Sequence, residues 1–168
     1  MANKRMMSRY DGRKLGWFRF AKLIGIVVIA TLVVFNVIVG VSRVSGESMN
    51  PTLEDNQVVF YLRLSDNYHN GDIVSIKMPN GDKYVKRIIA SPGDTIDISD
   101  GAVTVNGQVL SEEYAQGITD KGIYEISYPY QVEQDMFFVL GDNRESSVDS
   151  RTFGPVVRSS IKGSLLFQ

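Results

Sequence analysis

Cysteine is absent from the 168 residues of this chain, and histidine occurs only once. Without cysteine the protein has no disulfide framework, no thiol nucleophile and none of the cysteine-containing zinc sites found in many small proteins. The absence is consistent with an exported domain, where a free thiol risks unwanted disulfides. Any chemistry must come from hydroxyls, carboxylates, amines or the single histidine.

That histidine, His69, lies in a segment rich in turn-forming residues, SDNYHNGD (65–72). Such a segment between two β-prone runs is typical of an exposed loop. A Ser-His-Asp triad built on His69 is therefore not expected, and metal catalysis lacks the usual histidine and cysteine ligands. If a serine acts as nucleophile here, its proton must go to a different base.

Charge is distributed unevenly along the chain. Residues 1–22 contain seven basic residues and one acidic residue, a net charge of +6, whereas residues 23–168 contain 11 basic and 18 acidic residues, a net charge of −7. Directly after the basic region, LIGIVVIATLVVFNVIVGV (23–41) has no formal charge over 19 residues. A helix of this length is roughly 28 Å long, close to the hydrocarbon thickness of a bilayer.

We interpret residues 23–41 as a transmembrane helix. A buried core helix would carry a polar stripe, but only Thr31 and Asn36 interrupt this apolar surface. A cleaved signal peptide would end at a small-x-small site, and no Ala-x-Ala follows the run. Because basic flanks are retained in the cytoplasm, residues 1–22 are predicted to be cytoplasmic and residues 42–168 extracytoplasmic, in a single-pass protein of the cell membrane.

The predicted outer domain alternates short β-prone runs with turn signals. The runs are QVVFYLRL, DIVSIKM, KYVKRIIA, TIDIS, AVTVN, QVL, MFFVL and SLLF. Asn80-Gly81, Asp100-Gly101 and Asn106-Gly107 are dipeptides that favour tight hairpin turns. The pattern predicts an all-β domain of bent antiparallel sheets, in which residues 111–134 form either a solvated connection or a small flap over the sheet.

A candidate nucleophile and a candidate base can be chosen from the pattern. Ser48 lies in GESMNPTL (46–53), shortly after the predicted helix. A lysine can serve as its base only if burial lowers the lysine pKa, because the ammonium form then loses its hydration. In a strand over residues 83–90, Lys86 shares a face with Tyr84 and Ile88. The alternative is that Lys86 extends from a sheet edge and keeps its charge in water.

Three segments follow one another behind the predicted anchor: SGESMNPTL (45–53), YVKRIIASPGD (84–94) and GDNRESSVDSRTFGPV (141–156). In this order they resemble the defining motifs of type I signal peptidases, in the short single-span form of Gram-positive bacteria. The resemblance covers nearly the whole chain and implies the bent antiparallel fold of that family behind one helix. It also implies a membrane-bound serine endopeptidase that removes signal peptides from exported preproteins after Ala-x-Ala sites.

The resemblance assigns roles to individual residues. It implies that Ser48 is the nucleophile and Lys86 the general base of a Ser-Lys dyad, and that Ser147 hydrogen-bonds the lysine amine. The residues of an implied ion-pair scaffold, which could equally be a purely structural cluster, are Arg87, Asp142, Asp149 and Arg151. The residues implied to line the substrate pockets, for which simple core packing is the alternative, are Val44, Met49, Leu53, Tyr84 and Val85.

The resemblance also bears on the oxyanion site and on partners. It implies that the backbone N–H of Ser48 is one oxyanion donor. Some relatives carry a hydroxyl residue two positions earlier as a second donor, and this chain has Gly46 there, so the second donor stays open. The implied partners are secretory preproteins and the lipid bilayer, with no cofactor, metal or nucleic acid.

Two other interpretations are open at this point. The self-cleaving repressors of the SOS response also use a Ser-Lys pair, but they are soluble, and the predicted span disfavours them. A membrane-anchored β domain that binds an extracellular partner would explain the span and the hairpins. It would not explain three protease-like motifs in order.

Overall fold

The computed structural model describes the backbone of residues 2–65 and 67–166, and the side chains of residues 16–65 and 67–166. The side chains of residues 1–15, which make up most of the predicted basic segment, lie outside the described residues, as do Phe167 and Gln168. The chain forms two compact units, one ending at Ile38 and the other beginning at Val39.

The first unit is a single long helix. Helix α1 covers Ala2–Val33 and continues into a π-helical turn over Val34–Ile38. Its segment Gly16–Ile38 has a mean hydropathy of 2.5, is long and apolar enough to cross a bilayer, and has almost entirely exposed side chains. An exposed apolar helix of this length favours association with a membrane, because its surface is costly to hydrate.

The helix ends earlier than residue 41, where the sequence pattern placed the end of the span. Val39–Arg43 forms strand β1, which pairs with the next strand through contacts such as Val41 with Phe60. Side chains alternate between buried and exposed along β1, as a strand with period two requires. The apolar run in the sequence therefore joins two structures, a helix and the first strand.

The second unit is built from two antiparallel sheets. Its strands are β1, β2 (Val58–Leu62), β3 (Ile73–Lys77), β4 (Lys83–Ala90), β5 (Thr95–Ser99), β6 (Ala102–Val105), β7 (Gln108–Val109), β8 (Tyr130–Gln131), β9 (Met136–Leu140), β10 (Val156–Val157) and β11 (Ile161–Leu165). The larger sheet has the order β1-β2-β11-β3-β4-β9-β10, and the smaller one β7-β6-β5-β8. Register shifts in the β3–β11 and β4–β9 pairs bend the larger sheet, so the prediction of an all-β domain with bent antiparallel sheets is confirmed.

Two of the three predicted hairpin dipeptides have both residues in the left-handed region. The φ angles are 52° and 79° at Asp100-Gly101, and 54° and 77° at Asn106-Gly107. These turns join β5 to β6 and β6 to β7. At Asn80-Gly81 only the glycine has positive φ, 94°, so the β3–β4 turn is of a different kind.

Short helical turns follow β9. Residues Arg144–Ser146 form a 3-10 turn, Ser150–Phe153 forms helix α2, and Arg158–Ser160 forms a second 3-10 turn. Asp149 caps α2, since its side chain accepts a hydrogen bond from the backbone N–H of Arg151. This capped turn brings the third motif back against the end of β9.

Residues 111–134 are largely irregular, apart from β8. Residues 112–119 are attached to the domain at particular points: Thr119 is 3% exposed and backbone hydrogen bonds join Gln116 to Asp142 and Arg144, although Ile118 is 69% exposed. The following residues are more open, with Ile123 81% exposed. The segment is therefore docked at its beginning and exposed in its middle.

Candidate active site

Ser48 and Lys86 come together although they are 38 positions apart in the chain. Lys86 Nζ donates a hydrogen bond to Ser48 Oγ over 2.6 Å. Ser48 lies in a turn after β1, where Asn50 N–H donates to the carbonyl of Glu47. Lys86 lies in the middle of β4, where it is paired opposite Val74 of β3. A hydroxyl and an amine at this distance can exchange a proton directly.

Lys86 is buried rather than extended into water. It is 3% exposed, and burial lowers its pKa from the ordinary value of 10.5 to about 8. The carboxylates of Asp149 and Asp142 oppose this shift, and the positive charge of Arg151 adds to it. Desolvation is the largest cause, because an ammonium without water around it is disfavoured relative to the neutral amine.

The face of β4 that carries Lys86 also carries Tyr84, as the period of a strand predicts. The Tyr84 ring centroid lies 5.7 Å from Lys86 Nζ. The Tyr84 ring also stacks against Phe153 of α2, with 6.0 Å between centroids and 5° between planes. The aromatic pair therefore forms an apolar wall beside the amine.

Two buried ion pairs surround the dyad. Arg87 binds Asp142 through two hydrogen bonds of 2.9 and 2.6 Å, and Asp149 binds Arg151 through two hydrogen bonds of 2.9 Å. Asp142 also accepts a 2.5 Å hydrogen bond from Thr52, in the turn that follows the serine. The first pair thus joins all three sequence motifs at one carboxylate.

Asp149 is the second junction. Its carboxylate accepts a hydrogen bond from the backbone N–H of Gly141 at 3.0 Å, in addition to those from Arg151. The Arg151 guanidinium also donates to the carbonyl of Arg144 at 2.6 Å. These contacts fold residues 141–151 into a compact loop against Lys86. All four residues of the predicted ion-pair scaffold are therefore present as two bidentate pairs.

Ser147 differs from its predicted arrangement. Its Oγ is buried but makes no hydrogen bond, so the bond to the lysine amine that the resemblance implied is not formed in this structure. The hydroxyl lies close to Gly141, where an added Cβ would overlap both Ser147 Oγ and the carbonyl oxygen of Ser48. Ser147 is thus near the nucleophile's turn, and its role stays a prediction.

Gly46 does not offer its backbone N–H to a substrate. That N–H donates to the Asp55 carboxylate at 2.7 Å, and the glycine has a φ of +83°. The backbone N–H of Ser48 has no acceptor among the described residues, whereas the Gly46 N–H is used to hold the loop before the serine.

The residues predicted to line substrate pockets are mostly buried together. One core cluster contains four of them: Val44, Met49, Leu53 and Val85. Tyr84 is half-buried beside the lysine. A cavity of about 150 Å³ has Leu53 in its wall, with Gln57, Val58, Val59, Phe60 and Leu165. The other four predicted residues do not line that cavity, so their contact with substrate remains a prediction.

His69 stays in its loop, with 67% of its side chain exposed. Its ring nitrogen lies 3.8 Å from the Asp72 carboxylate. Among the described side chains, those of residues 16–65 and 67–166, no group of three or more histidine, aspartate or glutamate residues is arranged to hold a metal ion.

Several residues with polar contacts to the ion-pair scaffold or to the third motif were not predicted from the sequence. They are Thr52, Glu112, Tyr114, Thr119 and Arg144. Two of these lay inside quoted motifs, Thr52 in NPT and Arg144 in GDNR, and a buried role could have been suspected there. The others lie in residues 111–134, where poor periodicity gave no sign that polar side chains are buried.

Comparison with known proteins agrees with the motifs and the fold. A family model described as signal peptidase, peptidase S26, matches residues 17–168. Signal peptidase I of Bacillus amyloliquefaciens is 34% identical over 158 residues, covering 88% of this chain and 85% of the relative. Signal peptidase I S of Bacillus subtilis (strain 168) is 33% identical over 175 residues, covering 96% and 94%.

A solved structure is similar as well. The crystal structure of a signal peptidase I from Enterococcus faecalis V583 is 32% identical, with a TM-score of 0.50, and the match covers 59% of this chain and 97% of that one. Sequence family and fold therefore agree. The chain belongs to the signal peptidase I family (peptidase S26), serine endopeptidases that remove signal peptides from preproteins.

Proposed function

We propose that this protein is a membrane-bound peptidase that removes N-terminal signal peptides after small-x-small sites such as Ala-x-Ala, with Ser48 as nucleophile and Lys86 as general base. The observation that carries the proposal is the 2.6 Å contact between Ser48 Oγ and the buried amine of Lys86. Among the described residues no histidine or metal cluster lies in this role.

The lysine can act as a base because its burial makes the neutral amine available. A pKa of about 8 means that roughly half of the amine is neutral at that pH, whereas an exposed lysine is well under about 1% neutral. The lowered pKa corresponds to about 3 kcal/mol against the ammonium form. The neutral amine can then accept the Ser48 proton without first losing a proton of its own.

In the first step the lone pair of neutral Lys86 accepts the proton of Ser48 as its oxygen attacks the carbonyl carbon of the last signal residue. The resulting oxyanion receives a hydrogen bond from the backbone N–H of Ser48. The C–N bond then breaks, Lys86 gives its proton to the leaving amine, and an acyl-enzyme remains.

In the second step Lys86 takes a proton from water, and the resulting hydroxide attacks the ester. The C–O bond to Ser48 breaks, the serine oxygen regains a proton from Lys86, and the signal peptide leaves as a carboxylic acid, which gives its proton to the solvent. The same amine therefore serves both halves of the reaction. Ser147 would orient this amine after a rotation of its hydroxyl, and Asp149 and Arg151 hold the loop that carries it.

We assign substrate recognition to the apolar residues around the serine. An extended signal-peptide segment would pair with strand edges near the dyad, so that backbone hydrogen bonds supply affinity. Val44, Met49, Leu53, Tyr84 and Val85 would form shallow pockets that admit alanine and exclude larger side chains by overlap. This arrangement accounts for a small-x-small preference.

The membrane helix would place the enzyme beside its substrate. Basic residues 1–22 favour a cytoplasmic N-terminus, which puts residues 42–168 on the extracytoplasmic side of the cell membrane. Signal peptides are themselves membrane-embedded and end at that face. A single-pass anchor therefore restricts the search for substrate to two dimensions.

The test is cleavage of a preprotein whose signal peptide ends in Ala-x-Ala, with the product mass determined. We expect the detergent-solubilised wild type to cut directly after the second alanine, and Ser48→Ala and Lys86→Met to be inactive. No cleavage by folded wild type would overturn the proposal in favour of a binding domain. Cleavage that survives Lys86→Met would overturn the assignment of the base.

A further inference from the structure

We propose that Glu112 and Arg144 are positioning residues for the nucleophile. Their ion pair fastens residues 112–119 onto residues 142–144, and residues 142–144 in turn hold the backbone of Ser48. The inference rests on the proposed function, because it concerns the same serine. It assigns a task to a segment that lies outside the three sequence motifs.

Each of the three guanidinium nitrogens of Arg144 donates at least one hydrogen bond inside the protein. Nε donates to the carbonyl of Gly141 at 3.0 Å, and Nη1 donates to Thr119 Oγ1 at 2.7 Å and to Glu112 Oε2 at 2.8 Å. Nη2 donates to Glu112 Oε1. The side chains of Arg144 and Glu112 are only 1% and 13% exposed. Arg144 thus binds two residues of the segment, Glu112 and Thr119, and the residue that follows β9, Gly141.

The backbone makes the same connection. Gln116 N–H donates to the carbonyl of Asp142 at 2.7 Å, and Arg144 N–H donates to the carbonyl of Gln116 at 2.8 Å. This parallel bridge places Gln116 opposite Asn143. The bridge fixes the backbone position of Asn143 relative to residues 112–119.

Asn143 connects this backbone bridge to Ser48. Its backbone N–H donates to the carbonyl oxygen of Ser48 at 3.1 Å. The carbonyl and N–H of Ser48 belong to the turn that aims both the attacking oxygen and the oxyanion donor. A shift of Asn143 therefore changes the geometry at the serine even though neither Glu112 nor Arg144 touches it.

A second link ties the segment to the ion-pair scaffold. Tyr114 donates its hydroxyl to Glu112 Oε1 at 3.2 Å, and its ring lies 3.9 Å from the guanidinium carbon of Arg87. Arg87 in turn binds Asp142. Glu112 therefore belongs to both links, one through Arg144 and the other through Tyr114 and Arg87.

The chemistry of the pair favours a geometric role. A buried ion pair contributes little net stability compared with apolar residues of similar volume, because both charges lose their hydration. A bidentate arginine, however, fixes distance and angle better than apolar packing does. If stability alone were required, apolar side chains of similar volume could make the contact between the two segments.

The experiment measures kcat and KM of the full-length enzyme in detergent for Glu112→Gln, Arg144→Gln, Arg144→Lys and the double Gln variant. The concentration of competent enzyme is fixed by titrating Ser48 with an acylating inhibitor, so that loss of folded protein does not count as loss of rate. The matched control is Glu113→Gln, which changes an exposed neighbour of the same type.

We expect each Gln variant to lower kcat per titrated serine by about 10- to 100-fold with KM within about twofold, since small displacements of reacting groups have effects of this size. The double variant should be no slower than the slower single variant, because both changes break one contact. Arg144→Lys should recover part of the rate, and Glu113→Gln should match the wild type.

Unchanged kcat per titrated serine, with only a lower melting temperature, would overturn the inference and leave a purely structural pair. A raised KM at constant kcat would also overturn it, since the segment would then bind substrate. If Arg144→Gln does not fold, Glu112→Gln, which keeps an oxygen for Arg144, decides alone. An inactive wild type would overturn the proposed function itself, whereas an active wild type with unaffected variants overturns only this inference.

Discussion

At Lys86 the requirements of the proposed catalysis and those of stability oppose each other. The amine must be neutral to accept a proton, and burial at 3% exposure achieves this by making the ammonium form costly. The same burial disfavours the folded protein whenever the lysine is charged. Asp149 and Asp142 reduce this cost without removing it, because the pKa stays at about 8.

Replacing Lys86 by methionine should therefore stabilise the protein at neutral pH. In the unfolded chain the lysine keeps its proton up to about pH 10.4, whereas in the folded protein it loses the proton near pH 8. Below about pH 8 the folded state bears the full cost, roughly 3 kcal/mol, and the cost fades as pH rises toward about 10.4. Lys86→Met removes the cost at all pH values.

The measurement is denaturant unfolding of wild type and Lys86→Met in detergent at pH 7 and pH 10. The variant should be more stable at pH 7, and its advantage should shrink at pH 10. Lys83→Met, at an exposed position of the same strand, is the control and should change stability by under about 0.5 kcal/mol. A variant less stable than the wild type at pH 7 would contradict the account of a desolvated amine.

The sequence predicted the environment of individual residues better than it predicted their hydrogen-bond partners. The period of two placed Lys86 and Tyr84 on one face, and turn chemistry placed His69 in an exposed loop. The partner of Gly46, the carboxylate of Asp55, could not be foreseen because it depends on the path of the loop. Family resemblance supplied Ser147, and its Oγ has no hydrogen-bond partner in the structure.

At the scale of elements, the end of β9 leaves no space for a side chain beside Ser48. Gly141 follows this strand, and a Cβ there would overlap Ser48 O and Ser147 Oγ. Gly141→Ala should push the turn of the serine away and lower kcat by about 10- to 100-fold, since small misplacements of reacting groups have effects of this size. Gly25→Ala, where a Cβ meets no atom within 4 Å, should leave kcat unchanged.

The measurement for this pair is kcat on the preprotein substrate, with the circular dichroism spectrum recorded for each variant. A Gly141→Ala enzyme that is folded and as fast as the wild type would show that the loop tolerates displacement. In that case the close approach of β9 to Ser48 would not matter for the reaction.

The strands themselves were predictable where turn signals bounded them. Seven of the eight β-prone runs contain a whole strand, because alternation and glycine turns are local properties, whereas SLLF covers only the last two residues of β11. Strands β1, β8 and β10 were not predicted; the first residues of β1 belong to the apolar run that was interpreted as a helix, and β8 and β10 have only two residues each. The docking of residues 112–119 was missed as well, since it depends on Arg144, which lies 32 positions from Glu112. Contacts of that range leave no local pattern.

For the whole molecule, the proposed topology separates a basic cytoplasmic end from a peptidase domain outside. The absence of cysteine makes this directly testable, because one introduced cysteine is the only thiol in the chain. In intact cells a membrane-impermeant maleimide should label Asp82→Cys, in an exposed turn between β3 and β4. Ser8→Cys, in the basic segment, should be labelled only after permeabilisation, and the reverse pattern would contradict the proposed orientation.

The pH dependence of kcat/KM on a preprotein substrate tests whether neutral Lys86 activates Ser48. Because the neutral amine is the active form, the rate should rise with pH through a single ionisation near 8, the pKa of the buried lysine, and then level off. A rate that stays constant from about pH 6 to about pH 10, or that falls as the lysine becomes neutral, would contradict this role of Lys86.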